Sequence, residues 1–230
     1  MQNQIIDLRR LHQFLSQQTI YPLLLSTFLC LALFSARVVQ SHSLAFGNLI
    51  WNLFLAWLPF LFSIWAAALY TTNSGRWWVI SFLGFLWLIF FPNAPYIITD
   101  FLHLAVRPRV PLWFDILMLA AFAWTGFFLA IASLRTMQLL VKKHVGWMVS
   151  WVFAGSVLTL GGIGIYLGRF SRWNSWDIFF YPKEIFYDVA VRLANPFSNL
   201  SFFGFTGIFT AFLIVSYLMF ISIRRDSNII

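Results

Sequence analysis

Apolar residues run through this chain in long stretches, and short polar breaks divide them into six runs. Most runs are apolar on every side and long enough to cross a hydrocarbon core of roughly 30 Å at about 1.5 Å per residue. The pattern predicts an all-α fold, a polytopic helical membrane bundle with about six transmembrane helices at 19–36, 47–70, 77–91, 112–131, 145–167 and 202–223. Residues 1–18 are a polar N-terminal segment, 19–225 a single transmembrane domain and 226–230 a C-terminal tail. Arg9 and Arg10 ahead of an apolar run without a small-residue cleavage site read as an uncleaved signal anchor. Arg37 and His42 fall in the polar link that follows it, and Pro59 is expected to kink the second span.

The third run departs from the pattern. From Trp77 to Phe91 it covers only about 22 Å, too little to cross alone. Then come Pro92, Asn93, Ala94, Pro95 and Tyr96, followed by Thr99, Asp100 and His103. Each proline removes a backbone donor and clashes with the turn before it, so the helix must break. A restart over 95–104 is expected, with Asn93 as its cap and Pro95 tolerated in its first turn. Asp100 and His103, three apart, then share one face. Arg107, Pro108, Arg109, Val110 and Pro111 form a stiff basic turn, and Asp115 lies in the first turns of the fourth span.

A second polar block follows the fifth span: Gly168, Arg169, Phe170, Ser171, Arg172, Trp173, Asn174, Ser175, Trp176 and Asp177. Just before it, Gly161 and Gly164 join Gly168 on one helical face, a pattern that lets another backbone approach closely. Residues 182–195 read as an amphipathic helix lying along the membrane surface, opened by Pro182, with Glu184, Asp188 and Arg192 at four-residue spacing. No internal repeat is evident, which weighs against an inverted-repeat transporter.

Composition agrees. The chain is 61% hydrophobic, 20% aromatic and only 10% charged, outside the range of soluble domains. Twelve Trp and seven Tyr suit the interfacial belts of a membrane protein. The net charge of +8 comes from basic residues scattered between apolar runs, which points to anionic lipids and away from nucleic acid. The single cysteine, Cys30, excludes an internal disulfide, and no motif implies a cofactor. With six spans both termini share a side, which holds eight basic residues against seven on the other. Cytoplasmic termini are preferred because several of the seven are interleaved with Asp100, Asp115 and Asp177.

The block Phe91 to Tyr96 with Thr99, Asp100 and His103, together with the block Gly168 to Phe170 and Arg172 to Asp177, resembles the signature of the domain-of-unknown-function family 1361 of bacterial integral membrane proteins. The resemblance implies a multi-pass protein of the bacterial plasma membrane. It brings no substrate and no catalytic assignment.

Candidate chemistry is therefore argued from the residues. Ionisable side chains are costly in hydrocarbon unless paired or hydrated, so Asp100, Asp115, Arg169 and His103 are expected to turn inward and meet. In one reading they form a polar pocket near the extracytoplasmic face that binds or passes a small solute or ion, with Asn93, Tyr96, Arg169, Arg172, Trp173, Asn174 and Asp177 as candidate binding residues. In a second, a membrane-embedded enzyme acts on a lipid or lipid-linked phosphate, with Asp100, His103 and Asp115 as catalytic candidates. Asp100 and His103 alone are too few ligands for zinc, so no metal site is assigned. In a third the ion pairs are structural staples of an accessory subunit. Each residue also has an ordinary role: Asp115 as an acid at a helix N-terminus, Asp177 as a turn residue, Arg169 and Arg172 as snorkelling cations, His103 as an interfacial histidine, and Tyr96, Trp173 and Trp176 as belt anchors.

Overall fold

A computed structural model describes residues 20–71, 77–106 and 109–226. The N-terminal segment with Arg9 and Arg10, the turn at 72–76, Arg107 and the last four residues lie outside this range. Every regular element among the described residues is helical: α1 (Ile20–Ser41), α2 (Asn48–Thr71), α3 (Trp77–Phe90), a one-turn α4 (Asn93–Tyr96) continued by a 3-10 segment (Ile97–His103), α5 (Leu112–Val145), α6 (Trp147–Tyr166) with a π turn (Leu167–Ser171), a one-turn α7 (Asp177–Phe180), α8 (Pro182–Ala194), a 3-10 turn (Pro196–Asn199) and α9 (Leu200–Asp226). Six of these segments are long and apolar enough to cross a membrane. The chain is an all-α, multi-pass membrane protein.

The centre of the bundle is α5. Its 34 residues run well past the stretch expected over 112–131, because Leu129 to Leu134, Met137 and Gln138 are buried against neighbours on several sides. On it pack α1, α2, α6 and the broken segment after α3, while α3 lies on α2 and α9 on α6. α1 also exceeds its expected length, ending at Ser41. Its inward residues Leu23, Cys30 and Arg37 recur every seven positions, so Arg37 sits on the buried stripe and not in a link. α2 continues through Pro59, which leaves the Leu55 carbonyl without its usual helical donor.

The proline break is held by backbone bookkeeping that can be followed bond by bond. Pro95 has no N–H to offer the Phe91 carbonyl, which instead accepts from the Ala94 N–H at 3.2 Å. That leaves the Phe90 carbonyl free, and the Asn93 side-chain amide donates to it at 3.1 Å. Asn93 is thus not the helix cap, a position that falls to Pro92. Irregular backbone at this depth is tolerated only where it is buried in protein or lines a water-filled cavity, and here Phe91, Ala94 and Ile97 are buried. Glycines make the room. A Cβ built on Gly126 of α5 would lie 2.4 Å from the Ala94 carbonyl oxygen, and one on Gly164 of α6 would lie 2.6 Å from Pro92. The same face of α6 meets Phe91 at Gly161 and Tyr96 at Gly168, so the glycine stripe receives the broken segment. Trp87, one turn before the break, stacks on Phe153 of α6 with ring centroids 5.8 Å apart.

Candidate functional site

The break, the start of α2, the π turn and α7 gather at one end of the bundle. There the 3-10 segment sets Thr99, Asp100 and His103 toward Arg169. At three residues per turn, positions 100 and 103 lie one above the other, so both reach the same guanidinium. Arg169 Nη2 donates to Asp100 Oδ1 at 2.7 Å, and Nε and Nη2 donate to Thr99 Oγ1 at 2.8 and 2.5 Å. Thr99 in turn donates to the Tyr96 carbonyl at 2.7 Å, and the guanidinium lies over the Tyr96 ring, 4.5 Å from its centroid. The second Asp100 oxygen accepts from Asn52 of α2 at 2.8 Å. Asp100 is only 1% exposed and the Arg169 side chain 9%. Both carboxylate oxygens therefore have partners, as a buried charge requires.

His103 differs from the rest of the set in being exposed. Its Nε2 is 2.8 Å from Arg169 Nη1. A guanidinium can only donate, so Nε2 accepts and the ring proton of the neutral imidazole is on Nδ1. Arg169 thus joins a buried carboxylate to a surface imidazole.

Asp115 does not join this group. Its partner is Arg37 of α1, with Nε to Oδ1 at 2.7 Å, Nη2 to Oδ2 at 3.4 Å, and both side chains 1% exposed. Arg37 also donates to the Ala45 carbonyl at 3.2 Å and stacks on Phe46, a residue in the left-handed region at φ 69°. The single expected cluster is therefore two ion pairs. The reason is geometric: the α1 stripe carries Arg37 to the first turn of α5, where Asp115 also faces the positive end of the helix dipole. With Asp115 engaged there, the third ligand that a metal at Asp100 and His103 would need lies elsewhere, and no group of three His, Cys, Asp or Glu comes together among the described residues.

The second polar block folds across this end. Asn93 donates to Ser175 Oγ at 2.7 Å, and Trp176 meets Trp51 of α2 edge-on with centroids 6.3 Å apart. Asp177 accepts from the Asn174 backbone at 2.7 Å and from its side-chain amide at 3.2 Å, the turn role. Trp173 donates from Nε1 to Asp188 of α8 at 3.1 Å, and Asp188 is also paired with Arg192. Arg192 donates to Ser171 at 3.2 Å and lies over Tyr166, fastening α8 to the π turn. Arg172 ends that turn in the left-handed region at φ 62° and is exposed. α8 buries none of its residues, and Phe186, Tyr187 and Leu193 are open to the surroundings.

Sequence reasoning had passed over Asn52 and the pairing of Arg37, and had named Thr99 and Ser175 within the two polar blocks without giving either a role. Asn52 was legible as a lone amide inside an apolar span, and Arg37 through the seven-residue stripe; Thr99 and Ser175 stood in the two blocks, but nothing in their spacing showed which groups they would meet.

An all-helical membrane bundle built around a proline-broken third span, with a polar centre at one end, is what these elements define. The chain belongs to the family described as protein of unknown function (DUF1361), whose model matches residues 51–216. That range takes in both polar blocks and Asn52 but begins after α1 and Arg37. No curated protein and no solved structure matches the chain.

The α1 pairing makes a specific prediction. Arg37→Met leaves Asp115 buried without its cation and lowers unfolding free energy by about 3–5 kcal/mol, whereas adding Asp115→Leu to it restores much of the loss. Unfolding in mixed detergent measures both; equal losses in the single and double variants would contradict the pairing.

Proposed function

We propose that the protein binds a small anion, a solute or headgroup bearing phosphate or carboxylate, at the polar end of the bundle through Arg169 and Arg172. One observation carries the reading: Arg169 Nη1 ends on the exposed, neutral His103. The remaining Arg169 bonds run to Asp100 and Thr99 and hold the guanidinium in place. An anion makes a hydrogen bond roughly twice as strong as a neutral acceptor does, so it can displace the imidazole from Nη1. Asp100 neutralises Arg169, and the exposed Arg172, three residues on, supplies the net positive charge. Binding is favoured over passage because Trp87, Phe91, Ala94 and Phe122 fill the bundle below the site. Proton transfer by Asp100 is disfavoured, since both its oxygens accept bonds from protein donors.

The closed network around Asp100 supports a second reading, a staple with no ligand. A titration of inorganic phosphate against chloride at constant ionic strength separates the two. Under the binding reading the thermal midpoint of the purified chain rises with phosphate. Arg172→Gln weakens that response at least ten-fold, since a charge-assisted bond is worth about 1.5–3 kcal/mol, and His103→Ala sharpens it about five-fold by removing a competitor worth about 1 kcal/mol. A midpoint indifferent to phosphate in all three proteins leaves the staple reading.

We infer further that the membrane is a bacterial plasma membrane, that the termini are cytoplasmic and that the polar end faces outward. Of the seven basic residues at that end, Arg37, Arg169 and Arg192 are held in ion pairs, so their charge is engaged within the bundle and weighs little in setting its orientation. A fluorescent protein that matures only in the cytoplasm, fused after Ile230, is expected to be bright; a dark fusion would reverse the orientation.

A further inference from the structure

A groove opens far from the polar end, between the first turns of α1, the middle of α5 and the end of α9. It has a volume of about 240 Å³ and is lined by Pro22, Leu23, Ser26, Trp124, Phe128, Ala132 and Phe220. The hydroxyl in this lining is already engaged, Ser26 Oγ lying 2.6 Å from Thr125 Oγ1. What remains is aliphatic and aromatic surface. On α5 the lining residues Trp124, Phe128 and Ala132 recur every four positions, and the next member of the stripe, three residues on, is Arg135.

Arg135 is partly buried and donates to Gln138 Oε1 at 3.2 Å. Gln138 also accepts from Tyr217 at 2.7 Å, and Tyr217 lies one turn before the groove residue Phe220 on α9. The guanidinium therefore stands beside α9 at the end of the groove. Its partner there is a neutral amide. The ion pairs among the described residues are Arg37 with Asp115, Arg169 with Asp100 and Arg192 with Asp188, so Arg135 meets no carboxylate among them. Asp115 and Arg135 are separated by about 30 Å along α5 at about 1.5 Å per residue, the thickness of a hydrocarbon core. With Asp115 at one boundary, Arg135 stands at the headgroup level of the opposite one. A cation at that depth that meets no carboxylate among the described residues calls for an anion from the bilayer.

We propose that this groove seats one acyl chain of an anionic phospholipid whose headgroup phosphate rests against Arg135. Apolar groove and partly buried cation stand in the order and at the depth in which a phospholipid presents its chain and its phosphate. A soluble anion would gain nothing from the groove, and a zwitterionic lipid would gain less from Arg135.

Native mass spectrometry of the full chain in detergent, with phosphatidylglycerol and phosphatidylcholine of identical chains, tests the assignment. The wild type is expected to retain phosphatidylglycerol roughly five-fold better, the factor for about 1 kcal/mol per basic residue at a membrane surface. Arg135→Gln removes that preference and Arg135→Lys keeps most of it. Ala132→Trp, which fills the groove and leaves the charge in place, lowers retention of both lipids. Equal retention of the two lipids by the wild type, or a preference that survives Arg135→Gln, overturns the proposal. So does an Ala132→Trp variant that keeps its lipid but loses a dimer, since the groove would then be a contact between copies of the chain. Should Arg135→Gln fail to fold, Arg135→Lys and Ala132→Trp still decide it.

Discussion

A guanidinium placed at membrane depth has to find an anion there, and the pairing of Arg169 with Asp100 is the contact on which the polar end of this bundle depends. Neither side chain is held by its own helix. Asp100 is carried by a 3-10 segment that follows the two prolines ending α3, and Arg169 by the π turn that follows α6. Joining them fixes the broken span against α6, and Asn52 ties the same carboxylate to α2. Three elements are thereby registered by one buried acid.

Packing and electrostatics support each other here. In lipid the apolar outer faces of the helices gain little from association, so close backbone approach and interhelical hydrogen bonds must hold the bundle. Gly126 and Gly164 let the irregular backbone lie flush between α5 and α6, which brings Thr99 and Asp100 within reach of Arg169. The Arg37 and Asp115 pair repeats the principle at the join of α1 and α5, where a helix outside the family-matched region is pinned to one inside it. The covering loop, with Ser175 on Asn93 and Trp176 on Trp51, then fastens the end of α6 back over the break. Any ligand at this end meets a frame that is already braced.

Much of this was legible in the residues. The six apolar runs, the break at Pro92 and Pro95, and the glycine face of α6 follow from hydropathy, from the missing proline donor and from helical spacing. The approach of Asp100 to Arg169 was an expectation of the same kind, since scarce charges in an apolar medium have few partners to choose from. What could not be read was which carboxylate goes to which arginine. That depends on the rotation of α1, and the Arg37 assignment becomes visible only when its stripe is continued past the apolar run into what looks like a link. Asn93 was misplaced for a comparable reason: its type suits a cap, but the carbonyl it satisfies is freed by the absent N–H of Pro95, two residues further on.

The central claim is that Asp100 and Arg169 act as one unit. A double-mutant cycle of Asp100→Asn, Arg169→Gln and the pair, read as unfolding free energy in mixed detergent, measures their coupling directly. The account predicts losses of about 3–5 kcal/mol for each single change and a double variant clearly more stable than the sum of the two. Strictly additive losses, or an Asp100→Asn protein as stable as the wild type, would contradict it.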